Sequence, residues 1–438
     1  MEEIMTAINS NVPRLGDCTV KSPLSLSIEN NDLIPNYVEE GTKVIVDSVF
    51  RDEIPTEFKT FEVAGPREKI YFDPSKTRAG IVTCGGLCPG INNVVKSIVN
   101  ELSHGYKVRS IQGFRYGYAG IVPSCGYETI QLSSEAVRDW DIKGGTMLGS
   151  SRGPQDPAEM LDALERLNIN MLFTVGGDGT LRGAQAIYEE SIKRNYKIAI
   201  IGVPKTIDND IDFISRTFGF ETAVAKAEEA IQSALIEAEG APRGVGLVKL
   251  MGRHSGYIAA HASLANGNVD AVLIPESPFK LEGTGGLLSW IDRKLKEQNR
   301  AVVVVAEGAG QDILAGEKPE FDASGNQKLL DIGTYLGSSI IGHFKKTKDP
   351  VNLKYIDPSY IIRATKASPT DAIFCRRLGE NAVHAAMTGR TGIVIGLWND
   401  TFTHVALADA VSRRKVIDPD QDLWRSVLQM TGQPPTFY

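Results

Sequence analysis

The sequence predicts an α/β fold of two lobes with mainly parallel sheets. Three observations carry this. Strand-like apolar runs alternate with runs of helical period, and the links are short and glycine-rich, the pattern of parallel strands covered by helices. About ten strand candidates are too many for one compact sheet, so two sheets are expected. The length, 438 residues, suits two or three domains. The expected bounds are an extension over 1–76, one lobe over 77–215 completed by about 364–410, a second lobe over 216–363, and a C-terminal segment over 411–438.

Composition excludes several classes. Hydrophobic residues make up 42% and charged residues 23%, enough apolar surface for a large core. The net charge of −7 and the lack of a Lys/Arg block argue against a nucleic-acid or anionic-lipid partner. No apolar run is long enough to span a bilayer. The acidic opening Met1-Glu-Glu-Ile4 lacks the apolar core of an export signal. Five cysteines, an odd number, suggest a reduced interior without a disulfide framework.

Residues 1–76 are polar and weakly patterned, an extension packed on the core or on a neighbouring subunit. From Arg78 the rhythm is regular. Ala79–Thr83 reads as a buried strand and Cys84–Gly90 as a loop, followed by a helix carrying Ile91, Val94, Val95, Ile98 and Leu102. A strand, a Gly-rich turn and a helix N-terminus can cradle phosphate on backbone N–H groups, though tight packing explains most such turns. The GK[ST] ending of a Walker loop is absent. Cys84 and Cys88 have no second Cys/His pair at a zinc spacing. Lys107–Ile111 reads as a strand and Gly113–Gly120 as a mobile aromatic loop. Gly144–Gly153 is a second Gly/Ser-rich loop, with Arg152 either a phosphate contact or an ordinary surface arginine.

A helix opens at Asp156-Pro-Ala-Glu159, with Asp156 as N-cap, Pro157 at the first position and Glu159 completing a capping box. Asn170–Val175 is the next strand and feeds Gly176-Gly-Asp-Gly-Thr180. Thr180 is expected to cap the following helix. Asp178 is then a carboxylate at a strand's end, suited to Mg²⁺ on a polyphosphate, and Gly179 lets a ligand approach the backbone. The strand Lys197–Val203 ends in Pro-Lys-Thr-Ile-Asp-Asn-Asp210. That puts Lys205, Thr206, Asp208 and Asp210 where an open α/β sheet binds ligands. A polar turn alone would look much the same, but a second acidic turn one unit earlier favours a site.

A helix is expected over Phe220–Glu239. Three further strands, Val245–Leu250, Ala271–Ile274 and Ala301–Val305, end in turns bearing Arg253, Glu276 and Glu307. Arg253 suits a phosphate and Glu307 sugar hydroxyls. Lys354–Arg363 adds Lys354, Tyr360 and Arg363, and residues 371–396 form a last helix and strand. Together these turns are the parts for phosphoryl transfer from a Mg-polyphosphate to a phosphorylated sugar.

Gly176-Gly-Asp-Gly-Thr180, Pro204-Lys-Thr-Ile-Asp-Asn-Asp210, Met251-Gly-Arg253 and Pro275-Glu-Ser-Pro-Phe279, in that order and spacing, resemble the 6-phosphofructokinase family over about residues 78–410. The resemblance implies two Rossmann-like lobes with the active site in the cleft between them, in a cytoplasmic homo-oligomer of two or four subunits. It implies transfer from Mg-ATP to the C1 hydroxyl of D-fructose 6-phosphate, giving fructose 1,6-bisphosphate, the committed step of glycolysis. The base role falls on Asp208 and the Mg²⁺ ligand on Asp178. Gly85, Gly86, Arg152, Gly153, Gly177, Asp178, Gly179 and Thr180 match the ATP side. Thr206, Ile207, Asp208, Met251, Gly252, Arg253, Glu307, Tyr360 and Arg363 match the sugar-phosphate side.

Departures from the simplest bacterial pattern resemble the ATP-using branch of plants and trypanosomatids. Lys205 stands where those bacterial enzymes have glycine, and Tyr360 where they have histidine. A subunit-contributed arginine has no clean match; Arg243 is one residue out of register, and Lys354 is a candidate for the second such position. Bacterial effector responses are therefore not implied. Pyrophosphate-using relatives have aspartate at the Gly179 position and share Lys205, so Gly179 and Lys205 point to different donors. The glycine leaves room for an α-phosphate and weighs towards ATP. Gly-Gly-Asp-Gly-Thr alone also suits an NAD or lipid kinase, and a non-catalytic sugar-phosphate-binding subunit is the rival from another class.

Overall fold

A computed structural model describes residues 12–50, 54–314, 321 and 328–438. The acidic opening, Met1–Ile4, lies outside the described residues. The chain divides into two units. One takes in residues up to Thr206 with Ile211–Gly219 and Ala364–Arg414; the other takes Ile207–Asp210, Phe220–Arg363 and Lys415–Tyr438.

The first unit is built on a nine-stranded sheet. Edge to edge its strands are Lys43–Ile45, Thr60–Val63, Thr401–Ala406, Ile393–Trp398, Ala199–Pro204, Met171–Gly176, Arg78–Thr83, Ser110–Phe114 and Thr129–Gln131. The five from Ile393–Trp398 to Ser110–Phe114 are parallel, and the rest pair antiparallel. Met171–Gly176 and Ala199–Pro204 are buried along their whole length, which is why they read as apolar runs broken only by Thr174. Helices Ile91–Asn100, Pro157–Arg166, Asp178–Lys193 and Pro369–Met387 bury their apolar faces in this unit.

Strand order sets where a ligand can sit. From Arg78–Thr83 the chain moves to Ser110–Phe114 on one side and then to Met171–Gly176 on the other. The crevice beyond the carboxyl ends at such a switch point is the usual binding place of an open α/β sheet. In register, Thr83 pairs with Val175 and Gly176 with Pro204, so three strand-end turns lie side by side.

The second unit repeats the device with four parallel strands in the order Ala271–Leu273, Arg300–Ala306, Gly244–Leu250 and Asn352–Ile356. Its switch point lies at Gly244–Leu250, whose neighbours are Arg300–Ala306 and Asn352–Ile356. The helix Phe220–Glu239 has the bounds its periodicity predicts.

Several details differ from the sequence expectations. Part of the 1–76 segment is sheet: Lys43–Ile45 and Thr60–Val63 extend the large sheet, and Val20–Lys21 pairs with Lys69–Ile70. These strands are two to four residues long, too short to show a period. Gly113–Gly120 is not a mobile loop. Its first residues finish a strand, and Gly117–Gly120 is a buried 3₁₀ turn in which the Tyr118 hydroxyl donates to the Thr180 carbonyl at 2.6 Å. Asn352–Ile356 is a strand and Asp422–Thr431 a helix, neither foreseen.

Candidate active site

In the first unit the turn after Arg78–Thr83 is the cradle. Gly85 has φ +83°, a conformation glycine adopts without cost. Its N–H donates to the Ser151 carbonyl at 3.1 Å, and its carbonyl accepts from Ser150 Oγ at 2.6 Å. The two Gly-rich loops, 65 residues apart, are thus one structure. Lys205 Nζ donates to the Gly86 carbonyl at 2.5 Å. A Cβ on Gly85 would lie 3.4 Å from Lys205 Nζ, and one on Gly86 3.4 Å from Arg152 Nη2. Two cations therefore stand against a turn without side chains, a fit for phosphate oxygens. Gly153, at φ +102°, ends the Arg152 loop.

The neighbouring turn opens a helix. Gly177 is the N-cap of Asp178–Lys193, and Thr180 lies inside the first turn instead of capping it. The helix starts three residues earlier than a Thr180 cap would place it, and Thr180 packs back onto the turn, where a Cβ at Gly176 would meet its Oγ1. Asp178 is the first helical residue, where a carboxylate is favoured by the helix dipole. Arg182 Nη2 lies 3.2 Å from its Oδ1, and Arg414 Nη2 lies 3.4 Å from its Oδ2. A Cβ at Gly179 would meet nothing within 4 Å.

Arg182 and Arg414 were missed by sequence reasoning. Arg182 sits one helical turn beyond Asp178, a spacing that pairs opposite charges and could have flagged it. Arg414, 236 residues away, gives no local signal.

In the second unit the carboxyl ends gather the other candidates. Asp208 is half-buried with its Oδ1 out of solvent, and Ser255 Oγ donates to its carbonyl at 2.9 Å. Burial, then the charges of Asp210 and Glu307, push the Asp208 carboxyl far above the usual carboxylate range; Arg363 and the Arg253 backbone N–H pull the other way. Burial also raises Glu307, against Arg363, Lys249 and Arg253. Asp208, Arg253, Glu307 and Arg363 are one electrostatic cluster, as residues in a shared site must be. Met251 is buried. Gly252 has φ +124°, and a Cβ there would lie 2.4 Å from the Ser255 carbonyl, so only glycine fits.

Not every candidate joins a cluster. The Tyr360 side chain is 84% exposed. Thr206 accepts from Thr217 Oγ1 through its carbonyl at 2.7 Å, and Ile207 is buried. Arg243 is occupied: it pairs with Asp349 at 3.0 Å and lies over the Phe344 ring. Lys354 faces Glu237 at 3.7 Å. Burial pushes the Cys84 thiol up to about 12, too high for a reactive thiolate.

Two strand-end clusters, one cationic and glycine-lined, the other built on a buried carboxyl, define a phosphotransferase of the open α/β class. The phosphofructokinase family model matches residues 78–386. The chain is 46% identical over 434 residues to the ATP-dependent 6-phosphofructokinase of Amycolatopsis methanolica, covering 97% of this chain and 94% of that one. It is 47% identical over 373 residues to the ATP-dependent 6-phosphofructokinase of Trypanosoma brucei brucei, covering 84% and 76%. Among solved structures it is similar to a pyrophosphate-dependent phosphofructokinase from Marinobacter aquaeolei, with a TM-score of 0.67 at 22% identity over 82% of this chain and 93% of the other. The chain belongs to the phosphofructokinase family.

Proposed function

We propose that the chain phosphorylates the C1 hydroxyl of D-fructose 6-phosphate with ATP, giving fructose 1,6-bisphosphate, as a cytoplasmic homo-oligomer of glycolysis. The observation that carries the reading is the buried Asp208 carboxyl, set among Asp210, Glu307, Arg253 and Arg363. A carboxyl with raised proton affinity is suited to take the hydroxyl proton as the oxygen attacks. Arg253 and Arg363 bind the sugar's phosphate, and Glu307 accepts from its hydroxyls. Lys205 and Arg152 offset charge on the donor phosphates. Lys205 and Asp208 are three residues apart, so covalent geometry keeps their Cα atoms within about 11 Å.

Asp178 would hold Mg²⁺. Its Oδ2 accepts from Arg182 Nε at 3.3 Å and from Arg414 Nη2 at 3.4 Å, whereas its Oδ1 faces Arg182 Nη2 at 3.2 Å and keeps a second lone pair. No group of three or more potential ligands exists among the described residues, which fits an ion held by one carboxylate, donor phosphates and water. When bound, the ion neutralises phosphate charge.

The open space at Gly179 favours ATP, since an α-phosphate needs room there. Lys205, buried against the phosphate turn, favours the second reading, pyrophosphate as donor. Turnover of fructose 6-phosphate with Mg-ATP and with Mg-pyrophosphate, each beside Asp208→Asn, tests both. Turnover with ATP alone, lost in the variant, is expected. Turnover with neither donor would overturn the proposal.

A further inference from the structure

We infer that a cavity in the first unit binds a small metabolite with one anionic head, a phosphate monoester or a carboxylate, on a compact apolar or planar body. The cavity holds about 700 Å³ and is lined by residues 14, 16–18, 28, 36–40 and 67–69, none of them in the strand-end turns. That volume is within the range of small-molecule sites. It gives the N-terminal segment, which the transfer reaction leaves without a task, a function of its own.

The base of the cavity is Arg67, whose side chain is 2% exposed. Its Nη1 and Nη2 donate to the Gly65 and Val63 carbonyls at 3.1 and 2.6 Å. Its Nε is buried and makes no hydrogen bond; Glu40 Oε1 is 3.4 Å away as an ion pair. A buried donor left in this state costs free energy that a ligand oxygen would recover.

Charge at the base points the same way. Arg14, Arg67 and Arg390 converge on two carboxylates, Glu40 and Glu62. Three guanidiniums face two carboxylates, and two of the three, Arg67 and Arg390, are out of water, where charge is expensive, while Arg14 is 41% exposed. Glu40 is half exposed and able to yield its place, whereas Glu62 is 9% exposed and bound to the buried Arg390. Lys69 adds an exposed cation at the mouth.

The walls select the rest of the ligand. Ile28, Tyr37 and Val38 are apolar, and the Tyr37 hydroxyl is tied to the Leu24 carbonyl at 2.5 Å, which fixes its ring as a surface for a flat body. Asp17, Glu39 and Glu68 stand exposed around the mouth. They repel a polyphosphate and leave a singly headed anion as the fit.

Cys18 lines the cavity, with its Sγ 3.3 Å from the Thr388 carbonyl, and supplies a local readout. Cys84, Cys88 and Cys375 are buried and Cys125 is exposed, so Cys125→Ser leaves Cys18 as the reachable thiol. Its modification by 4,4′-dithiodipyridine, followed by mass spectrometry, is measured with phenyl phosphate, benzoate or benzyl alcohol. One of the two anions should slow it saturably, by about fivefold at four times its Kd, and which one does so identifies the head. Benzyl alcohol should not protect. Arg67→Met should abolish protection; should it not fold, the exposed Lys69→Met should weaken the anion about tenfold. Unchanged labelling with both anions, equal protection by benzyl alcohol, or undiminished protection in the folded variants would overturn the inference. The readout needs no turnover, so it stands apart from the phosphotransfer reading.

Discussion

Arg414 Nη2 lies 3.4 Å from Asp178 Oδ2, joining residues 236 positions apart at the opening of one helix. With Arg182 spanning both oxygens, the carboxylate proposed to carry Mg²⁺ is held by two guanidiniums. Under that proposal Arg414 is expected to position the donor. Arg414→Met should raise KM for Mg-ATP about tenfold, about 1.4 kcal/mol, with KM for fructose 6-phosphate unchanged and part of the loss restored by lysine. A purely structural role would instead lower thermal stability and leave the two KM values in their original ratio.

The donor choice should turn on charge at position 179. A Cβ there meets nothing within 4 Å, and the position is in the first turn of a helix, where aspartate is favourable. Gly179→Ala should keep most ATP turnover. Gly179→Asp should fold as well yet lose ATP turnover by about 100-fold, from a few kcal/mol of repulsion against the α-phosphate. Equal losses in both variants would mean that space, not charge, decides.

Much of this site was legible because its signals are local. The runs Met171–Gly176 and Ala199–Pro204 are apolar but for Thr174, and their ends carry the glycines and acids that a strand-end site needs. Asp156 caps its helix as its spacing indicates, donating nothing and accepting from Ala158 N–H at 2.9 Å. Illegible were features made by distant pairing. Thr60–Val63 is a strand because Thr401–Ala406 offers it an edge, and Arg414 reaches Asp178 only through the fold. Glu159 fits a capping box by sequence, yet its carboxylate accepts from Ser124 Oγ at 3.2 Å. Local propensity has no term for such partners.

The acid limb of kcat/KM should report the cluster around Asp208. A base must be deprotonated to act, so raised proton affinity moves the limb above the ordinary carboxylate range. Asp210→Asn removes a like charge, and the limb should move to lower pH. Arg363→Met removes an opposite charge, and it should move higher, with KM for fructose 6-phosphate increased as well. Asp208→Asn should lower kcat by about 100- to 10,000-fold. Shifts of the same sign in the Asp210 and Arg363 variants would remove Asp208 from the role of base.

Glu101 offers a stability test away from the site. Burial, then the neighbouring Glu380, raises its carboxyl from the usual 4.5 to about 7. The folded protein thus holds this proton more tightly than the unfolded chain. The stabilisation from it is full below pH 4.5 and is lost as the pH rises to 7, above which the charged carboxylate is a constant penalty. Glutamine at this position does not titrate. Glu101→Gln should therefore be nearly neutral at pH 4.5 and should stabilise the protein by about 1–3 kcal/mol at pH 8, read from urea unfolding at the two pH values. An equal difference at both pH values would mean that packing against Gly105, whose added Cβ would lie 2.4 Å from the carboxylate, outweighs charge at this position.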